Sequence, residues 1–210
     1  MFLGRLLVFL YLWSMTVESH PLEPFLPAGA TVLFLGSFPP PRARWSMDFF
    51  YPNFNNDFWR VMGLVHFGDA QHFVASAGRR FNYEAVVEFC RTAGLAFFDT
   101  ASKVRRLKDN ASDAFLEILE PTDVGALLAR IPDCHTLVTT GGKASEAIPS
   151  LLSASEGPPP VPSPGSFTDL NAFGRELRWW RMPSTSRAYP LPLAAKASAY
   201  AQLWPQPLGL

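Results

Sequence analysis

Small neutral polar side chains and aromatic rings recur together at a few places in this chain. Ser37, Asn53, Asn55 and Asn56 lie among Phe38, Trp45, Phe49, Phe50 and Tyr51; Thr140 and then Ser184, Thr185 and Ser186 follow. Amides and hydroxyls donate and accept hydrogen bonds without carrying charge, and rings offer flat apolar faces. That combination suits a planar, uncharged ligand whose edge carries donors and acceptors. A nucleobase is such a ligand: rings stack on its face while amides read its edge. Arg42, Arg44, Lys103, Arg105, Arg106, Lys108, Arg181 and Arg187 fall in or near these stretches, where cations can hold phosphates. Taken singly, each ring is an ordinary core residue and each cation an ordinary solvated one. The reading rests on their joint placement.

Other chemistries find little support. Gly141-Gly142-Lys143-Ala144-Ser145 lacks the upstream glycine of a phosphate-binding loop and has Ala144 where magnesium needs a hydroxyl. No G-x-G-x-x-G follows a strand, so a dinucleotide is not expected, and no G-x-S-x-G elbow occurs. His20 is near the amino terminus, His66 and His72 fall in loops and His135 at a strand start. Each is expected at the surface, which argues against Ser-His-Asp catalysis and a His-rich metal site. Cys90 and Cys134 are too few for an iron–sulfur cluster or a four-thiolate zinc site, and are expected as buried thiols in a reducing cytosol. No metal and no cofactor is expected.

The elements that would position these residues alternate. Ala30–Gly36, Leu95–Thr100, Thr136–Thr140 and Leu177–Met182 are short apolar runs, the pattern of strands buried on both faces. Helices are expected over Asn56–Gly63, with Asn56 as N-cap and Gly63 as stop, and over Asn82–Thr92, capped by Asn82. Further helices are expected over 112–119, 122–130 and 193–203, and from Lys143 to Ile148, where Pro149 stops or kinks the chain. Ser37–Asn56 is a long loop of a kind that is usually functional, and residues 102–110 are a basic loop. Strands alternating with helices predict an α/β fold with a parallel sheet covered on both faces. Its ligand site should lie at the carboxyl ends of the strands. Those ends are Gly36–Pro41, Asp99–Arg105, Thr140–Gly142 and Pro183–Ser186.

Composition sets the outer bounds. With 210 residues the chain is one domain plus decoration, and 48% hydrophobic residues exclude a disordered chain. Eighteen basic residues balance eighteen acidic ones, which excludes a wholly basic, histone-like binder but not a local basic groove. Residues 1–14 (MFLGRLLVFLYLWS) resemble a short signal peptide but are too short to span a membrane, which needs ~20 apolar residues. Met15 opens a stretch that reads as an ordinary soluble amino terminus, and translation is expected to start there. The organisation expected is an amino-terminal extension over 1–19 and one domain over 20–210, with a Pro-rich insertion at 153–166.

Three motifs in order, LGSFPP (35–40), FFYPNFNNDFWRVMG (49–63) and MPSTS (182–186), resemble the uracil-DNA glycosylase superfamily. Within it they are most similar to the hypoxanthine-DNA glycosylase-like branch, near the mismatch-specific enzymes. The resemblance runs from about residue 20 to the end. It implies a three-layer α/β/α sandwich around a four-stranded parallel sheet. It also implies a cytoplasmic, monomeric, cofactor-free enzyme that hydrolyses the N-glycosidic bond of a deaminated base, uracil or hypoxanthine, in DNA. Gly36, Ser37 and Phe38 would contact base and sugar, Tyr51 would stack on the base, and Thr140 would sit where the base is read. Pro183, Ser184, Thr185, Ser186 and Arg187 would touch DNA.

The departures matter as much. Phe38 stands where many members carry a water-orienting carboxylate or amide, and Met182 precedes the second motif without the histidine that several branches place in it. Strand three ends Thr139-Thr140-Gly141 where relatives often have Asn. For the hypoxanthine-like branch the resemblance implies a catalytic Asn from the loop before the first helix or at its start. Asn56 matches best, with Asn53 and Asp48 as alternatives. Two other readings stay open: a weakly active or inactive DNA- or nucleotide-binding module on the same fold, and an unrelated small-molecule hydrolase.

Overall fold

The computed structural model describes residues 17–107, 115–152 and 157–204. The 1–14 segment and the Met15 start lie outside them, as do the first residues of the helix expected over 112–119.

The apolar runs form the strands that their composition requires. β2 (Val32–Gly36), β3 (Leu95–Asp99), β6 (Thr136–Thr140) and β8 (Arg175–Met182) are parallel, in the order β3-β2-β6-β8. Every residue of β2 and β3 is buried. The sheet is not purely parallel. β7 (Ser166–Ala172) joins as a fifth, antiparallel strand on the edge beside β8. A two-residue turn connects them, with Phe173 at φ +54° and Gly174 at φ +74°. Two left-handed residues in succession match the twist of a tight hairpin, although Phe-Gly lacks the Asn-Gly signature that makes such turns legible. The end of the Pro-rich insertion therefore becomes sheet.

A second sheet is antiparallel, in the order β1 (Val17–Ser19), β4 (Ala101–Arg106), β5 (Leu116–Pro121). Only Thr100 separates β3 from β4, so the chain leaves one sheet and enters the other directly. The basic loop expected at 102–110 is thus largely strand, and 116–121 is strand rather than helix. Acids across the ladder answer its cations: Lys103 pairs with Glu120 at 2.5 Å and Arg105 with Glu117 at 2.9 Å. Opposite charges facing each other across strands stabilise the pairing. β1 falls within the stretch read from sequence as an extension.

Among the described residues the α-helices are α1 (Phe58–Phe67), α2 (Tyr83–Thr92), α3 (Val124–Arg130), α4 (Gly142–Leu151) and α5 (Leu193–Ala201). Asn82 caps α2 by accepting from the Ala85 N–H at 3.2 Å. α1 runs past Gly63 and ends at Gly68, φ +68°. Gly63 serves close packing instead: a Cβ there would collide with the Asp69 carbonyl. α4 likewise continues past its expected stop and carries Pro149 within its last turn, at the cost of the hydrogen bond that residue's N–H would make. The core is aromatic, with Phe34 stacked on Phe97 at 5.3 Å between centroids and Trp59, Trp179 and Tyr200 fully buried. Cys90 and Cys134 are buried free thiols, both pushed up in pKa chiefly by burial. No helix among the described residues is long and apolar enough to cross a membrane.

Candidate functional site

The buried aromatics have polar tips, and those tips hold loops. Trp59 donates its indole N–H to the Phe50 carbonyl at 3.0 Å, and Arg60 donates to the Phe54 carbonyl at 2.7 Å and the Asn56 carbonyl at 3.3 Å. The first turn of α1 thereby fixes the loop that precedes it. Tyr200 on α5 donates its hydroxyl to the Pro183 carbonyl at 2.9 Å and fixes the start of the Pro183–Ser186 loop. Buried Tyr and Trp find such partners because an unpaired polar tip in the core costs about 1–3 kcal/mol. The Thr185 carbonyl accepts from the Asp57 N–H at 2.9 Å, joining the two loops directly.

Between them, at the carboxyl ends of the four parallel strands, opens a cleft of about 430 Å³. Its floor is Gly36 on β2, Asp99 on β3 and Thr140 at the end of β6; one wall is Ser37–Pro40 and the other Ser184–Ser186. Tyr51, Asn53 and Asn56 complete it. Neither the Ser37 nor the Phe38 N–H donates to any described residue, and both residues line the cleft.

The side chains are not all free. Tyr51 lies parallel to Phe58, 3.8 Å between centroids and 4° apart, and its hydroxyl is 2.8 Å from that of Thr140. Its backbone is left-handed, φ +51°, in a region that non-glycine residues rarely occupy. The N-cap of α1 is Asp57 rather than the expected Asn56; Asn56, one residue earlier, accepts from the Phe58 N–H at 2.9 Å through Oδ1 and so braces the helix entrance while lining the cleft. Phe38 turns its ring into a small apolar cluster with Ala101, Val104 and Leu116. Gly141, φ +88°, brings the β6–α4 turn close to Ser184; a Cβ there would press on the serine at 3.3 Å.

Three expected site residues are not among the cleft's lining residues. Asp48 is exposed and paired with Arg42. The Pro183 carbonyl is taken up by Tyr200. Arg187 is an exposed side chain 3.8 Å from Asp57. Of the cations, Arg106 is buried, bonded to Glu18 and to the Pro39 carbonyl, and so braces the first motif rather than meeting solvent. Arg181 donates to the Pro162 carbonyl. Among the described cations, Arg44 lines the cleft and Arg187 directly follows its Ser184–Ser186 wall.

The structure also brings in residues that the motifs did not mark. Asp99 is the only carboxylate among the described residues lining the cleft. Behind it lies His20, expected at the surface, whose side chain is 4% exposed and whose Nε2 is 2.9 Å from Asp99 Oδ2. The imidazole packs on Phe98, 4.4 Å between centroids. The sequence signal for Asp99 was its place as the last residue of a buried strand. His20 carried none, since its partner lies 79 residues away. Among the described residues no cluster of His, Cys, Asp or Glu could hold a metal ion.

No protein-family model and no curated protein matches the chain. A solved structure does: the solution NMR structure of a "putative Uracil DNA glycosylase" from Methanosarcina acetivorans, with a TM-score of 0.61 and 19% identity. The match covers 90% of this chain and 96% of the other. The two chains share a fold. Helices packed around a central mixed sheet, with an antiparallel edge strand, are thus the architecture in which this cleft is built.

Proposed function

We propose that the protein is a monofunctional DNA glycosylase of the uracil-DNA glycosylase superfamily, acting on a deaminated base, uracil or hypoxanthine, flipped out of DNA. What supports this is one arrangement. All three motif segments, far apart in sequence, converge on a single cleft at the strand ends, in a fold shared with the archaeal structure.

The chemistry follows from the parts. Flipping costs a few kcal/mol, less for a mismatched or damaged pair. A base entering the cleft would extend the Tyr51–Phe58 stack, and the free N–H groups of Ser37 and Phe38 would donate to a base carbonyl. Those donors stabilise the negative charge that the base gains as the glycosidic bond breaks. Ser184, Ser186 and Arg187 would hold the strand, with Arg44 on the opposite rim. Water attacks C1′ as the sugar acquires oxocarbenium character. The groups available to hold that water are the Asn53 and Asn56 amides and the Asp99 carboxylate. The product is an abasic site in an uncut strand.

One observation favours the non-catalytic module. Phe38 spends its ring on a small core and Met182 is buried, so the two family positions that carry chemistry elsewhere carry none here. One assay separates the readings. Duplexes and single strands carrying uracil, hypoxanthine or xanthine are incubated with the protein and treated with alkali. A break at one of these bases supports the glycosylase; salt-dependent binding with no break at any base supports the module.

A further inference from the structure

We propose that Asp99 is the general base of this cleft and that His20 is the residue that positions it, a proposal that rests on the glycosylase reading. Asp99 ends β3 directly opposite Gly36 in the parallel register. Its side chain is 11% exposed, and that exposure opens into the cleft. The two carboxylate oxygens have different surroundings. Oδ2 accepts from His20 Nε2 at 2.9 Å, whereas no described residue donates to Oδ1. Oδ1 occupies the space that a side chain on Gly36 would fill, with the Tyr51 hydroxyl 3.8 Å from the same point. The first-motif glycine is therefore what allows a carboxylate oxygen to stand in the cleft.

His20 is built to hold that orientation. With its Nε2–H given to Asp99, its Nδ1 accepts from the Leu22 N–H at 3.2 Å, so both ring nitrogens are anchored. The ring is wedged against Phe98 and meets Phe38 edge-on at 5.3 Å. His20 is absent from the cleft lining and touches no bound base; it acts through Asp99. Asn56 cannot take this role in full, because an amide orients water but accepts no proton, and its oxygen already accepts from the Phe58 N–H.

The step balances without a co-reactant. A lone pair of water forms the C1′–O bond, and the C1′–N pair departs with the base. The proton of the attacking water passes to Asp99 Oδ1 and is then released. Overall, OH is added to the sugar and H to the base. The same carboxylate, ionised, faces the positive charge that develops on the sugar.

The test is single-turnover excision on whichever duplex the wild-type protein cleaves, with DNA affinity measured in parallel. Asp99→Asn is expected to slow excision about 100-fold or more while affinity changes less than about twofold. Sodium formate added to Asp99→Gly is expected to raise its rate about tenfold, since a small carboxylate enters the vacated space. His20→Gln is expected to slow excision about tenfold, and His20→Gln combined with Asp99→Asn to be no slower than Asp99→Asn alone. A merely structural histidine would instead slow the double variant further. An Asp99→Asn rate within about threefold of wild type overturns the proposal and leaves the glycosylase reading intact. A wild-type protein that excises no base overturns both. If Asp99→Asn fails to fold, formate decides: an Asp99→Gly protein that gains nothing from it overturns the proposal.

Discussion

Lys196 Nζ stands 2.9 Å from Asp57 Oδ2, the lysine side chain only 1% exposed, and ties α5 to the entrance of α1. The same ammonium donates to the Ser186 carbonyl at 2.9 Å. One buried cation thus joins the entrance of α1 to the Ser184–Ser186 wall of the cleft. Lys196→Met would strand a buried carboxylate, and breaking one partner of such a pair costs about 3–5 kcal/mol. The exposed Arg187, 3.8 Å from Asp57, offsets part of that, so the lower end is expected. Removing both charges with Lys196→Met and Asp57→Leu should recover most of the loss, because replacing a buried pair by apolar groups is often neutral. Urea unfolding of the two single variants and the double variant measures this. A double variant as unstable as the sum of the singles would show that the pair is not coupled.

Tyr51 offers a test of the base-stacking role. Its hydroxyl meets Thr140 and its ring meets Phe58, so the two functions separate by substitution. Tyr51→Phe keeps the ring and loses one hydrogen bond, worth about 1 kcal/mol of stability. Tyr51→Ala loses the ring as well. Stacking of a base on an aromatic ring contributes about 1–3 kcal/mol. Excision by Tyr51→Ala should therefore fall far below that by Tyr51→Phe, which stays near wild type. Equal loss in both would move the role from the ring to the hydroxyl.

Much of the architecture was legible because burial on both faces leaves an unambiguous record. VLFLG and LAFFD read as interior strands with no help from context, and the rule that ligands sit at strand ends then located the cleft. The errors have a common cause. KVRR reads as a solvated loop when taken alone, and only the partner strand LEILEP, across a break in the pattern, supplies the acids that turn it into a ladder. Gly63 read as a helix stop because a glycine that makes room for a neighbouring backbone looks the same in sequence as one that ends a helix. At the site, groups within motifs were legible and groups completed by long-range packing were not. The His20–Asp99 pair is of the second kind, as is the loss of Lys103, Arg105 and Arg106 to ion pairs.

Asn56 has two duties that substitution can divide. At the entrance of α1 it accepts from the Phe58 N–H, and losing that hydrogen bond costs about 1 kcal/mol. As a lining residue it presents an amide to the cleft. Asn56→Ser keeps an oxygen that can accept from the Phe58 N–H but withdraws the amide, whereas Asn56→Ala removes both. If the amide helps to place water or sugar, both variants should slow excision to a similar degree while only Asn56→Ala loses stability. Full activity in Asn56→Ser would leave Asn56 only its hydrogen bond to the Phe58 N–H.

His66 makes the fold sensitive to acid. Burial alone lowers its pKa from 6.5 to about 4. Its Nε2 is buried without a partner, against Trp204 at 4.5 Å and Phe89 at 5.1 Å. The folded protein therefore holds the ring neutral over a range where the unfolded chain protonates it. Below pH 6.5 the unfolded state binds the extra proton, so stability falls as pH drops toward about 4 and is fully present above 6.5. Replacing the ring by an apolar side chain removes that dependence. His66→Leu should match or trail wild type at pH 7 yet lose less stability on acidification to pH 4.5, as read from urea midpoints at the two pH values. A wild-type midpoint that does not move more than that of His66→Leu would show that the imidazole titrates as freely in the fold as out of it.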